Sequence, residues 1–372
     1  MSGANDSAAV SGANDSAGVS GANDSAGVSG TLTLTVYFAE RERSGERFLA
    51  DAMLDLFERR GVATSIMLRG IASFGPTNVA RSDRSLSLSE DAPVTISAID
   101  TTQTIVALVE EVRALTGRGV ITLERGYQPH TTAYDSVRMS LHVGRRHRIA
   151  GEPAYVAVCT VLQRLGFVGA DVYLGVDGTV AGGRHRAKFF SRNSDVPLSL
   201  IGIGTGVQAD AAVEEIRALI PDAWFTLEPI VVCKNSGQRL AAPTSDGEFH
   251  KMVVSTSESS LHDGRPIHRE LIRRLMESPH ASGATVLRGI WGFRGDERPH
   301  GDRFLQLARR VPVTTVLLDT APGIAASYPI VDELTEHEGI VTISALAGML
   351  ETHAGRNRGS LDLGGPGPAG NL

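Results

Sequence analysis

Arginine is the side chain whose placement in this sequence could do chemistry. Met67-Leu68-Arg69-Gly70-Ile71 runs on to Phe74-Gly75, and Val286-Leu287-Arg288-Gly289-Ile290 runs on to Phe293-Arg294. A long polar stretch follows each Phe. The first holds Asn78, Arg81 and Arg84, and the second holds Arg298, Arg303, Arg309 and Arg310. A planar guanidinium fork suits phosphate oxygens. Gly117-Arg118-Gly119 is a second candidate, because glycines let backbone N–H groups approach a phosphate closely. Each signal has a plainer alternative: solvated loop charge for any one arginine, and a helix stop for Gly117.

Other chemistries find little support. The two cysteines, Cys159 and Cys233, lie far apart and in no metal-ligand spacing, which excludes a disulfide framework and suits a reducing cytoplasm. The eleven histidines show no His-x-x-x-His pair, and His262 and His268 read as solvated residues flanking a loop. No Ser-His-Asp or Gly-x-Ser-x-Gly constellation is present. A net charge of −6 and 5% aromatic residues give no basic, stacking face for nucleic acid. No apolar run is long enough to insert in a membrane, and no secretory signal is readable.

The positioning elements come from a repeat. Gly70, Pro93, Asp100 and Thr101 return at one common offset as Gly289, Pro312, Asp319 and Thr320. A third, more worn copy lies between, in which Pro93 becomes Pro197 and Thr122-Leu123-Glu124 becomes Thr226-Leu227-Glu228. Three related units in tandem follow, at 31–124, 137–229 and 250–346. In unit 1, Thr31 to Phe38 alternates with period two as a half-buried strand. Phe48, Leu49, Ala52, Met53, Leu56 and Phe57 recur at helical spacing. Ala63–Ile71 and Pro93–Ile99 read as strands, Asp100-Thr101-Thr102 caps a second helix, and Val120–Glu124 closes the unit. The order is βαββαβ, an α+β, ferredoxin-like arrangement.

Several local expectations follow. Residues 1–30, a nine-residue small and polar repeat, and 347–372, rich in Gly and Pro, read as disordered. Unit 2 aligns Val176-Asp177-Gly178-Thr179 with Leu-Arg-Gly-Ile, which makes its loop four residues shorter. Its own cationic residues there are Arg184, His185, Arg186, Lys188 and Arg192. Ile230-Val231-Val232 could add an edge strand. Pro329 should shorten or kink the last helix. The first strand carries Leu32, Leu34, Val36 and Phe38 on one face and Thr33, Thr35 and Tyr37 on the other. Three such Thr/Tyr faces turned toward a common axis would cover one another, so a closed pseudo-trimer within one monomeric chain is favoured over separate beads.

The wording of units 1 and 3 resembles the PII-like superfamily, and within it the family called domain of unknown function 190. The residues that carry the likeness are Leu-Arg-Gly-Ile followed by Phe, the long loop, Leu88-Ser-Glu-Asp-Ala-Pro93, and a strand ending in Asp-Thr. The resemblance implies ferredoxin-like units assembled as a trimer. It implies an adenine nucleotide (ATP, ADP, AMP or a cyclic nucleotide) or a similar effector in clefts between units. It also implies signalling through the long loops onto a partner such as a membrane transporter or channel. Its ligand-binding residues would be Arg69, Gly70, Phe74, Gly75, Arg81, Gly117, Arg118, Gly119, Arg288, Gly289, Phe293 and Arg294, in a regulatory protein rather than an enzyme. The first loops lack the Arg and Asn pairing of an acylphosphatase, the enzyme that shares this order. A purely structural role is the other reading.

Overall fold

The computed structural model describes residues 30–75, 81–82, 91–127, 134–187, 195–221, 223–301 and 311–363. The N-terminal repeat and the last nine residues lie outside this range. Unit 1 comprises β1 Thr31–Ala39, α1 Leu49–Arg59, β2 Thr64–Phe74, β3 Pro93–Thr101, α2 Thr102–Leu115 and β4 Gly119–Gly126. Unit 2 comprises β5 Val137–Gly144, α3 Ala154–Arg164, β6 Gly169–Leu174, β7 Asp177–Val180, β8 Pro197–Gly204, α4 Gly206–Leu219 and β9 Trp224–Pro229, and is followed by β10 Val231–Asn235. Unit 3 comprises β11 Phe249–Ser257, α5 Ile267–Glu277, β12 Ala284–Arg288, β13 Trp291–Arg294, β14 Pro312–Thr320, α6 Ala321–Leu334 and β15 Ile340–Leu346. The hairpin β16 Gly348–His353 and β17 Arg356–Ser360 follows.

Each unit pairs its strands in the antiparallel order second, third, first, fourth. The repeated landmarks hold this arrangement in place. Asp100 accepts a hydrogen bond from Ala63 N at 2.8 Å and Asp319 accepts one from Ser282 N at 3.0 Å, so each ties the end of the third strand to the start of the second. Thr101 and Thr320 cap the helix that follows. Unit 2 has lost the Asp but keeps Thr205, in a capping box with Gln208. In unit 1 the apolar face of β1 (Leu32, Leu34, Val36) is fully buried against α1 and α2.

The second strands join the units. Each is split at a glycine bend, and its two halves pair with different neighbours. Thr64–Met67 pairs with Asp177–Val180 of unit 2, Gly169–Val172 with Trp291–Arg294 of unit 3, and Ala284–Leu287 with Gly70–Phe74 of unit 1. The three ladders close a ring. Side chains cross with the strands: Phe74 is buried in the core of unit 3 and Phe293 in the core of unit 2. At the third junction Thr179 donates instead to Val62 O of unit 1 at 3.1 Å. The strand ends form a second ring. Tyr127 bridges to Leu227, β10 pairs with β15, and β16 pairs with β4.

Some expectations are corrected here. Residues 348–360 form an ordered hairpin because Gly348–Thr352 fills the open sheet edge of unit 1 and Met349 buries among Phe249, Val316 and Leu318 of unit 3. Helix α6 is not shortened by Pro329; it has the same 14 residues as α2. Burial of Ile324, Val331 and Leu334 outweighs the roughly 3 kcal/mol cost of an interior proline. The apolar stretch after unit 2 does form a strand, displaced to Val231–Asn235, and it adds to unit 3 rather than to its own unit. His268 is buried, not solvated.

The Thr/Tyr face of β1 meets its counterparts around an internal chamber of about 140 Å³. Thr33, Thr35 and Tyr37 line it beside Arg138, Ser140 and His142 of unit 2 and Lys251 and Ser255 of unit 3. Its charges are paired: Lys251 with Glu124, Arg138 with Glu228 at 2.7 Å, and Arg294 with Asp171 at 2.7 Å. Pairing lowers the desolvation cost of such groups without making them a large source of stability.

Two outcomes test this account. Phe74→Ala and Phe293→Ala should each cost about 3–5 kcal/mol in urea unfolding, far more than a surface change. A loss under 1 kcal/mol would mean that the exchanged rings do not hold the units together. The second outcome concerns pH. Burial holds the His142 imidazole down at about 4, against about 6.5 when unfolded. Between those values the unfolded chain takes up a proton that the folded chain refuses. Stability is therefore full above pH 6.5 and falls as pH drops toward 4, by up to about 3 kcal/mol. His142→Gln should flatten that acid limb, and an unchanged limb would assign it to other groups.

Candidate functional site

The glycine bends explain the repeated Leu-Arg-Gly-Ile. A Cβ on Gly70 would stand 2.8 Å from Pro93 Cγ and from Val286 O, so the strand crossing leaves no room for a side chain. Gly289 N donates to Pro312 O at 2.8 Å, and Gly175 N donates to Pro197 O at 2.9 Å. In unit 2 the counterpart of Arg69-Gly70-Ile71 is therefore Leu174-Gly175-Val176, not Val176-Asp177-Gly178. The loop that follows is one residue shorter, not four. Glycines stand at both 175 and 178, and only the strand register separates the two alignments.

Arg69 and Arg288 do not meet. Each pairs within its own unit with the carboxylate that ends the first strand, Arg69 with Glu40 and Arg288 with Glu258. Leu174 has no such role. The unit 2 arginines are also engaged: Arg184 pairs with Asp177, Asp51 and Asp55, and Arg186 with Asp51. These contacts fasten the short hairpin after β7 to helix α1 of unit 1. Arg81 extends the ladder to β2 through its backbone. Its side chain, and Asn78, Arg84, Lys188, Arg192, Arg303, Arg309 and Arg310, lie outside the described residues.

What does converge is a cleft between units 1 and 3, about 120 Å³ in volume. Unit 1 supplies Phe74 and Gly75 at the end of β2 and Arg118 and Gly119 from the turn between α2 and β4. Unit 3 supplies Gly283 to Thr285 and the hairpin residues Met349, Glu351 and His353. Tyr37, Phe38, Val316 and Leu318 give it apolar walls. Gly119 has φ +150°, and a Cβ there would stand 2.6 Å from Tyr37 O, so glycine is required. Gly117 sits on the same turn, exposed and with open space around it. Arg118 is exposed, and among the described residues no carboxylate is paired with it. Burial raises the Glu351 carboxyl, and Arg358, 3.8 Å away, partly opposes that rise.

A second pocket, about 620 Å³, lies on unit 3 around the end of β13 and has a different character. It is lined by Phe293, Arg294, Gly295 and Gly339, with Asp296, Glu297 and Glu338 at its mouth. Arg294 turns away to Asp171 and to the carbonyls of Ala170 and Phe293. The described part of this cleft therefore carries more negative than positive charge, which disfavours the anion expected there. Gly289 is crowded by Val172 O and Pro312. Both cysteines are buried, and burial pushes the Cys233 thiol up to about 12, so neither is a nucleophile at neutral pH.

Sequence reasoning missed the hairpin that walls the first cleft. Its turn is Ala354-Gly355, with φ 49° and 78°, a two-residue turn of the kind that joins antiparallel strands, but Ala-Gly is a weak turn signal in a sequence. Among the described residues no group of three His, Cys, Asp or Glu is placed to hold a metal ion, and no helix is long and apolar enough to cross a membrane.

The sequence model of the family described as "Uncharacterized ACR", domain of unknown function 190, matches the chain three times, at residues 31–126, 136–232 and 249–347. The chain belongs to this family, as three tandem copies. Among solved structures, an aspartate kinase from Synechocystis is similar over 88% of this chain and 46% of that one, at 10% identity and a TM-score of 0.23. The chain thus spans about half the length of that protein.

If Arg69 and Arg288 act on strand ends through exposed or half-exposed ion pairs, Arg69→Ala and Arg288→Ala should each change unfolding free energy by about 1 kcal/mol or less. A loss of 3 kcal/mol from either would show that the pair is a main fastening of the fold.

Proposed function

We propose that this chain is a PII-like regulatory protein, built of three ferredoxin-like units closed into a single-chain counterpart of a trimer. It takes a small effector in the cleft between units 1 and 3 and acts by binding rather than catalysis. One observation carries the reading: an exposed Arg118 and the adjoining Gly119 of one unit line a largely apolar pocket completed by the hairpin that follows unit 3. A pocket with apolar walls and a few convergent polar groups is the usual form of a small-molecule site.

The ligand class follows from the two ends of the cleft. The apolar residues Tyr37, Phe38 and Met349 would cover a ring. The outer part offers the Arg118 guanidinium and the backbone N–H groups of the turn to an anion. An adenine nucleotide fits that order, its base inside and its phosphates extending past Arg118 toward solvent. The long segments after β2 would carry the signal to a partner, a membrane transporter or channel in the cytoplasmic setting that the PII-like reading implies. The other two junctions would then serve assembly.

Thermal melts against ATP, ADP, AMP and cyclic AMP test the reading. Ligand at a hundred times its dissociation constant adds about 2.7 kcal/mol and raises the melt. Arg118→Ala should weaken binding roughly ten- to a hundredfold with an unchanged melt of the free protein. No shift at millimolar nucleotide would reject the effector site and leave a structural role.

A further inference from the structure

One acidic side chain in the cleft between units 1 and 3 has no partner in the fold that accounts for it. Glu351 lies on β16 and is only 9% exposed, yet it lines the cleft. Successive residues of a strand point to opposite faces, so Met349, Glu351 and His353 share one face, and all three stand on the cleft wall. Met349 packs on Val316 and Leu318, which turns that face toward unit 3.

Among the described residues the Glu351 carboxylate accepts no hydrogen bond. The nearest cation is Arg358, whose Nη1 stands 3.8 Å from Oε2, beyond hydrogen-bond reach. That guanidinium is engaged elsewhere: Nη1 donates to Ser282 Oγ at 2.9 Å, and Nη2 donates to Asp319 Oδ1 at 3.4 Å. Burial raises the Glu351 carboxyl, and the charge of Asp319 adds to the rise against Arg358 and His353. A buried polar group without a donor is destabilising and calls for an explanation. A ligand that brings an N–H group supplies one.

The place of Arg118 narrows that ligand. β16 pairs with β4 so that Thr352 stands opposite Gly119 and Glu351 opposite Val120. The carboxylate is therefore carried one rung beyond the turn that carries the guanidinium. A single molecule that sets an anion on Arg118 has the rest of its body beside Glu351. On the nucleotide reading, on which this inference rests, that body is the base, and adenine carries an exocyclic amino group.

We propose that Glu351 reads the base: its carboxylate accepts a hydrogen bond from the adenine 6-amino group and so selects 6-aminopurine nucleotides over purine nucleotides that lack the amine. A site built around a hydrogen-bonding group rejects the analogue without the matching partner, because the buried group is then left unpaired.

The test is isothermal titration of the full chain with AMP and with purine riboside monophosphate, which differs from AMP only in lacking the amino group. The parental protein should bind AMP about ten- to a hundredfold more tightly, the range of a hydrogen bond to a charged group. Glu351→Ala should make the two ligands bind alike, whereas Arg118→Ala should weaken both and preserve their ratio. Glu351→Gln keeps the shape and an acceptor oxygen without the charge, and should show a reduced preference for AMP. It carries the test if the alanine variant folds poorly. Equal parental affinity for the two ligands, or an undiminished preference in whichever Glu351 variant folds, would overturn the proposal and leave the effector site standing. Binding of neither ligand at millimolar levels would overturn both.

Discussion

The molecule depends on the exchange of split second strands between units. A four-stranded sheet with helices on one face leaves its other face and two edges needing partners. Here each second strand turns at a glycine and gives its far half to the next unit, so that the ladders return to their starting point. Phe74 and Phe293 travel with those halves and fill a neighbour's core. No unit is then complete by itself. The hydrogen-bonded edges, the apolar cores and the polar inner faces are all satisfied by the same closure.

Closure also explains why a polar chamber persists at the centre. Thr, Ser and Tyr side chains can hydrogen-bond to one another across the axis, as Tyr173 does to Thr314 at 2.6 Å. Oppositely charged pairs such as Lys251 with Glu124 link one unit to another. In three identical subunits every inner position would repeat three times. In one chain the layer Thr33, Arg138, Lys251 is free to differ at each position, which lets charges pair in a definite order. The same freedom makes the units unequal: unit 1 offers a glycine turn and an exposed arginine to its cleft, unit 3 places three carboxylates around its own pocket, and Leu174 replaces the arginine of the bend in unit 2.

The proposed site follows from this inequality. Arg118 and Gly119 belong to a turn of unit 1, whereas Glu351 comes from the hairpin that follows unit 3. The cleft is suited to an anion beside a ring.

The number of units, their strand and helix order, and the face of the first strand that meets the helices were legible from the amino acids. These are read from periodicity and caps, whose energetics act within a few residues: Thr101 and Thr320 cap the helices that follow them, and Leu32, Leu34 and Val36 alternate with threonine. The sequence also marked Gly70, Gly119 and Pro93 as special without saying why. The reason is tertiary, since what crowds Gly70 is a carbonyl of unit 3, more than two hundred residues away in the chain. For the same reason the sequence did not show that the phenylalanines after the bend, read as ligand residues, also fill a neighbouring unit's core. The alignment of unit 2 slipped because Gly175 and Gly178 look alike until the ladder register separates them. The final hairpin looked like a tail because its strand is stabilised by pairing with the edge of unit 1, a partner that no local pattern can name.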